Sequence, residues 1–530
     1  MSADLPETVL RAPGRGAGQL ARNAASGAGR HALPALLALA VTPYALHTLG
    51  EARFGLWALA GVVLTLSRVL DLGLQRAIVR EVARAAGAGA VAGAAPALGA
   101  GRGAMAVLGL AYVAGVWLMR DALVVDVLRL PAELHAEGVY VLVGTAAVAA
   151  LETFVLPYQA ALDGVGRMDV SSAVDAAQRV ASALGVVAVL AAGWGLPGLV
   201  WKNLAAAALA GLAYRMALGR LAPELARARL RLDRRRVRRL LSFGRHVQAV
   251  NASMLVLETG AKLTVGRGPG VAAVATFELA WRVVAQAGGA LLGASTAVFP
   301  AAAERHGERR GDPVATVALY RSATRYLSWA TLPAYGLIMA LAGPFVLAWV
   351  GAGQERAGAA MAVLAGGFLV GVLAAPAHMV AQATGRERIS TAAALVSVLS
   401  ALGVWAVWVP SHGLMAVAAG VGVGVGAGGV TAWVLFARAL RSGWSTVTCL
   451  GWQGPLAAAV AALAARAVAA AVAPGMVGVI AAAAVGLALF AVTLAAGGGI
   501  GPRERALLRA ALARNGGGDH GARGRQAGVD

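Results

Sequence analysis

Four charged side chains lie inside stretches that are otherwise oily. Glu258 and Lys262 are one helical turn apart in one apolar segment, and Glu278 and Arg282 repeat that spacing in the next. A Gly/Pro turn at residues 266–270 (GRGPG) joins the two segments, so the pairs occupy the arms of a membrane hairpin. A charge near the bilayer centre costs about 2.5–3.5 kcal/mol on insertion scales, so four of them imply facing partners or a water-filled path. Further charges within apolar spans are Arg68, Lys202 and Arg179 among the cations, and Glu152 and Asp175 among the acids. No nucleophile, base and orienting acid recur at a spacing that makes covalent catalysis, so the chemistry open to these groups is recognition of ions. Two readings stand side by side. The pairs Glu258/Lys262, Glu278/Arg282 and Asp175/Arg179 either receive a charged cargo or neutralise one another and pin helices together.

The elements that must position these groups follow from composition. The 530 residues are 59% hydrophobic and only 13% charged, with mean hydropathy +0.71. Soluble domains carry about 25% charged residues, so the chain is an all-α polytopic membrane protein. A net charge of +21 could mark a nucleic-acid binder, but of the 46 Lys and Arg residues 35 fall on alternate inter-span segments and five on the others. That is positive-inside topology, with no nucleic-acid partner implied, and it places both termini in the cytoplasm. Residues 215–245 alone hold eleven arginines. One cysteine, Cys449, excludes an internal disulfide and a cysteine metal cluster, and neither metal nor cofactor is expected.

About fourteen spans can be counted between residues 32 and 496. Residues 1–31 have no apolar core and read as a cytoplasmic tail; Arg76, Arg80, Arg84 and Arg102 read as one inner loop. Glu152 has no local partner of opposite charge, which suits a proton or cation site or, equally, an interfacial position. Asp71 ends a span, where capping or packing is expected. The run VGVGVGAGG at residues 421–429 sits in an apolar span and predicts close helix packing rather than a phosphate cradle. Tryptophans such as Trp194, Trp201, Trp349, Trp405 and Trp408 are expected as interfacial anchors, and His378 as either a group titrating near neutral pH or, more often for such a residue, a hydrogen-bonded core histidine. The first six and the next six spans overlay as a weak repeat. Each half opens with a hairpin closed by a short glycine-containing turn, residues 49–55 (LGEARFG) and 266–270, and places an arginine in its second helix, Arg68 and Arg282.

Five segments in order carry a resemblance: TPYALHTLGEARFGLWAL at 42–59, LDLGLQRAIVREVAR at 70–84, LDGVGRMD at 162–169, LLSFG at 240–244 and VFPAAAERHG at 298–307. In order and spacing they resemble the polysaccharide transporter (Wzx-type oligosaccharide flippase) family, within the superfamily of the peptidoglycan lipid flippases and MATE antiporters. The resemblance implies two six-helix bundles around a central cavity, here 32–217 and 243–436, separated by a basic loop at 218–242. It leaves an additional hairpin at 437–496, whereas many members stop near twelve helices, and a cytoplasmic tail at 497–530. It also implies alternating access that carries a polyprenyl-diphosphate-linked oligosaccharide to the outer leaflet of a bacterial cytoplasmic membrane. Membrane lipids, glycosyltransferases and a polysaccharide polymerase are the partners it suggests. On that reading Arg68, Lys262 and Arg282, then Lys202 and Arg179, are candidates for diphosphate contact. Glu152, Glu258, Glu278 and Asp175 are candidates for ion coupling. A peptidoglycan lipid flippase or a MATE-like cation-coupled antiporter is the alternative; a membrane glycosyltransferase or polymerase would need a larger outer loop than residues 120–137.

Overall fold

The computed structural model describes residues 17–70, 73–230, 233–294, 313–440, 451–472 and 474–499. Among them the chain is helical with no strand, and eleven helices are long and apolar enough to cross a membrane. The first half comprises α1 (Ala17–Leu70), α2 (Leu74–Gly87), α3 (Ala95–Leu118), α4 (His135–Gly164), α5 (Met168–Ala191) and α6 (Gly195–Leu221). The second comprises α7 (Arg234–Arg267), α8 (Val271–Ala294), α9 (Pro313–Val350), α10 (Glu355–Leu373), α11 (Ala375–Ala383), α12 (Glu387–His412) and α13 (Leu414–Leu440). The final pair, α14 (Gln453–Ala471) and α15 (Met476–Ala496), packs on itself and on α9.

The two expected opening hairpins are present. α1 is broken at Gly50, whose φ of 76° a side chain would oppose, and Gly270 closes the α7–α8 turn at φ 102°. We call this side of the bundle the turn end and the opposite side the basic end.

Several boundaries differ from the sequence reading. α1 begins at Ala17, inside the expected tail, and α7 begins at Arg234, inside the expected basic loop. Both stretches are rich in Ala, Leu or Arg, which are good helix formers whatever their polarity. Arg102 belongs not to a loop but to α3: it is 8% exposed, donates to the Ala228 carbonyl at 2.8 Å and lies 4.7 Å from the Tyr158 ring. The apolar stretch at 355–383 is divided into α10 and α11, with Pro376 in the first turn of α11.

Packing distinguishes the two ends. One core is continuous across both halves and joins Leu46, Phe54 and Val141 to Leu257, Phe277 and Leu364. Towards the basic end the core splits. Ile78, Leu162 and Tyr214 cluster in the first half, while Tyr320, Leu373 and Phe436 cluster separately in the second. The first turns of α7 are an exception, since Val237 packs beside Leu74 and Met105 of the first half. The halves are therefore joined by apolar burial mainly at the turn end, chiefly where α1 lies against α8.

The glycine run packs as its sequence predicts. A methyl group on Gly367 of α10 would lie 2.1 Å from the Gly422 carbonyl oxygen of α13, and one on Gly424 would lie 2.5 Å from the Ser397 oxygen of α12. Gly367→Ala is expected to cost about 1–3 kcal/mol by overpacking, read as a lowered melting temperature in detergent. An unchanged midpoint would contradict this contact. The tryptophans divide into two groups. Trp194, Trp201 and Trp408 are at least half exposed, as anchors should be, whereas Trp405 is buried and donates to Val417, and Trp349 donates across the halves to Leu39.

Candidate functional site

The charged hairpin folds into one network. The α-helical period brings Glu258 beneath Lys262 on α7 and Glu278 beneath Arg282 on α8, at 2.9 Å in each pair. Antiparallel packing of α7 on α8 adds the bond that the spacing could not show: Lys262 Nζ also lies 2.9 Å from Glu278 Oε2. This last contact is an ion pair outside hydrogen-bond geometry. Charge alternates along the chain Glu258, Lys262, Glu278, Arg282, and the sum is zero. The middle is closed and the ends are open: the Lys262 and Glu278 side chains are 5% and 9% exposed, those of Glu258 and Arg282 28% and 21%.

Arg282 carries the network across the seam between the halves. Its Nη1 donates to Thr42 Oγ1 of α1 at 2.8 Å, and its guanidinium carbon is 6.0 Å from the Trp57 ring centroid. Thr42 passes the bond on to the Ala38 carbonyl, 2.5 Å away. Thr42 and Trp57 were missed as site residues, although Thr42 opens the first family-like segment and is a polar group in an apolar span. Lys262 and Arg282 therefore belong to one ionic network. The third expected member cannot be placed, because the Arg68 side chain and all of Asp71 lie outside the described residues.

The remaining candidates sit elsewhere. Asp175 is on α5, the span with least burial, 11% of its apolar window. It is paired not with Arg179 but with Tyr214 of α6, whose hydroxyl donates to it, and with Gln159 Nε2 of α4 at 3.1 Å. A helix-spacing argument could not find these partners because they come from other helices; Arg179 itself is exposed. Lys202 donates to Ser182 Oγ at 2.7 Å and to the Ser182 carbonyl at 3.3 Å, with no carboxylate within 4.0 Å among the described residues. Glu152 is half-buried on α4 and does have a partner. His378 is hydrogen-bonded to Ser390 at 3.1 Å, in keeping with a core histidine. Among the described residues no three His, Cys, Asp or Glu groups cluster as metal ligands would.

Above the network the turn end is closed by contacts between the halves. Gln354 donates to Glu51 at 2.6 Å and accepts from Thr276 at 3.0 Å, and Arg267 donates to the Asp126 carbonyl at 3.1 Å. A methyl group on Gly55 of α1 would stand 2.0 Å from the Val271 carbonyl oxygen of α8, so the two backbones touch.

A two-part helical membrane bundle with ionic groups at its internal seam is a fold that solved structures share. The chain is similar to the lipid II flippase MurJ in an inward closed conformation, at TM-score 0.69 and 9% identity, covering 88% of this chain and 98% of that one. It is similar to a multidrug resistance MATE family transporter of the MOP superfamily in an inward-facing conformation, at TM-score 0.59 and 18% identity, covering 82% and 97%. A MOP superfamily transporter from Pyrococcus furiosus gives TM-score 0.55 and 17% identity, covering 80% and 97%. None of the curated proteins matches the chain by sequence. The family model described as polysaccharide biosynthesis protein matches residues 20–306, and the chain belongs to that family, as its motifs suggest. It is a multi-pass membrane protein whose fold is that of these flippase and transporter structures.

Proposed function

We propose that the protein is a flippase that moves a polyprenyl-diphosphate-linked oligosaccharide from the cytoplasmic to the outer leaflet of a bacterial inner membrane by alternating access. The single observation that carries this reading is Arg282: a partly exposed cation of a buried ionic network, bonded across the seam of a polysaccharide-biosynthesis family protein. A lipid diphosphate is anionic and strongly hydrated, so its passage needs cationic donors in a place that water can reach. Arg282 lies eleven residues into α8, roughly 16 Å from the turn end. It is the cation of the network that a headgroup coming from the basic end meets first.

An arriving diphosphate competes with Glu278 for Arg282 and with Thr42 for its second nitrogen. Binding is thereby coupled to the contact that joins the halves. Glu258, the more exposed carboxylate, and Glu278 are the ion-coupling candidates of the network; Asp175 and Glu152 are the candidates outside it. Lys202 and Arg179 stand as secondary anion contacts on the exposed α5–α6 face. Glycosyltransferases that build the lipid-linked glycan and a polymerase that consumes it are the expected partners.

Removing the gene tests the reading. Lipid-linked repeat units are expected to accumulate on the inner leaflet, and a plasmid-borne Arg282→Ala variant is expected to restore surface glycan about tenfold less well than the wild type. Unchanged surface glycan together with unchanged lipid-linked pools would overturn the proposal. A drug antiporter would instead show cation-driven efflux of small cationic compounds.

A further inference from the structure

A recess edged by arginines lies at the opposite end of the second half. Between the start of α12 and the last turns of α13 there is a recess of about 680 Å3, a volume that suits a small ligand. Its floor is apolar, formed by Ile389, Ala392, Leu435 and Ala439, and its rim carries Arg386 and Arg388. Both arginines are exposed, and among the described residues neither forms an ion pair. Glu387 also lines the recess, so the three rim charges sum to +1, and the exposed Arg438 follows on the last turn of α13.

We propose that this recess binds an anionic glycerophospholipid, with its phosphate on Arg386 and Arg388 and the beginning of an acyl chain across Leu435 and Ala439. Depth supports that occupant: α12 begins and α13 ends here, so the rim stands at the level where spans leave the hydrocarbon and headgroups begin. Charge supports it as well. The arginine-rich side of the protein faces the leaflet that carries anionic lipid, and guanidinium groups take phosphate oxygens in pairs. The transported substrate is the wrong occupant, because the ionic network lies on α1, α7 and α8 towards the other end. The inference is independent of what the protein carries.

The test uses the full chain purified in neutral detergent, with native mass spectrometry counting bound lipid. Phosphatidylglycerol is the probe, and phosphatidylcholine and inorganic phosphate are the comparisons. Wild-type protein is expected to retain phosphatidylglycerol over phosphatidylcholine. Arg386→Ala with Arg388→Ala should weaken retention about thirtyfold, while the paired lysine variant keeps most of it. Leu435→Trp, which fills the floor and leaves both arginines, should weaken it too. Because the arginines are exposed, the lipid-free melting temperature of both paired variants should match the wild type. Equal retention of the two lipids, retention unchanged in the double alanine variant or in Leu435→Trp, or displacement of the lipid by millimolar phosphate would each overturn the proposal.

Discussion

Replacing Glu278 with alanine is expected to destabilise the protein by about 3–5 kcal/mol, more than any other single change in the ionic network. Glu278 faces two cations, Lys262 and Arg282, each at 2.9 Å, and its side chain is 9% exposed. Without it Lys262, 5% exposed, keeps Glu258, and Arg282 keeps Thr42 and the Trp57 ring. Two positive groups then face each other across the α7–α8 contact without the carboxylate that bridged them. Glu258→Ala should cost far less, about 1 kcal/mol, because its side chain is 28% exposed and Lys262 retains Glu278. The informative variant is the pair Lys262→Met with Glu278→Leu. It removes one charge of each sign from the closed middle and leaves the more exposed Glu258 and Arg282. Apolar replacement of a buried ion pair is commonly neutral or stabilising, so the pair should recover most of the lost melting temperature. Flipping should not recover with it. If both return together, the network only pins helices, and the transport role assigned to it fails.

That experiment separates two readings that residue spacing left open. Glu258/Lys262 and Glu278/Arg282 were legible because an α-helix repeats every 3.6 residues, so a separation of four places both members on one face. The Lys262–Glu278 contact was not legible, since it depends on how α7 and α8 are rotated against each other. The Arg282–Thr42 bond spans 240 residues. Asp175 shows the same limit from the other side, because a plausible partner four residues away, Arg179, lost to Tyr214 and Gln159 on neighbouring helices. Glycine was more informative than charge. Gly422, Gly424, Gly428 and Gly429 of the run at 421–429 have little room for a methyl group once α10 and α12 lie against them, and close packing of that kind could be read from the sequence. Tryptophan was less so, since Trp349 and Trp405 sit near span ends yet are held by hydrogen bonds rather than by headgroups. Helix starts within the polar segments were missed because charge pattern marks where a chain leaves the bilayer, not where its helix ends.

Enlarging Gly55 is expected to stop the transport cycle without unfolding either half. Even a methyl group there would stand 2.0 Å from the Val271 carbonyl oxygen, well inside van der Waals contact, and a backbone atom cannot swing aside as a side-chain tip can. Relief requires α1 to move away from α8, and that movement parts the turn end. Gln354 would then lose Glu51, and Arg282 would lose Thr42, so the seam opens as a unit rather than at one residue. Gly61 provides the matched control on the same helix, because nothing lies within 4 Å of the position where its methyl group would be. Gly55→Val should therefore hold the turn end apart and reduce flipping by more than tenfold, while Gly61→Ala leaves both unchanged. Spin labels can report the separation after Cys449, the single native cysteine, is replaced and cysteines are introduced at the exposed Ala52 and Ala352. The Ala52–Ala352 distance should lengthen in Gly55→Val and not in Gly61→Ala. An unchanged distance in a folded Gly55→Val protein would show that the α1–α8 contact does not hold the turn end shut, and the coupling drawn from Arg282 to the seam would fall with it.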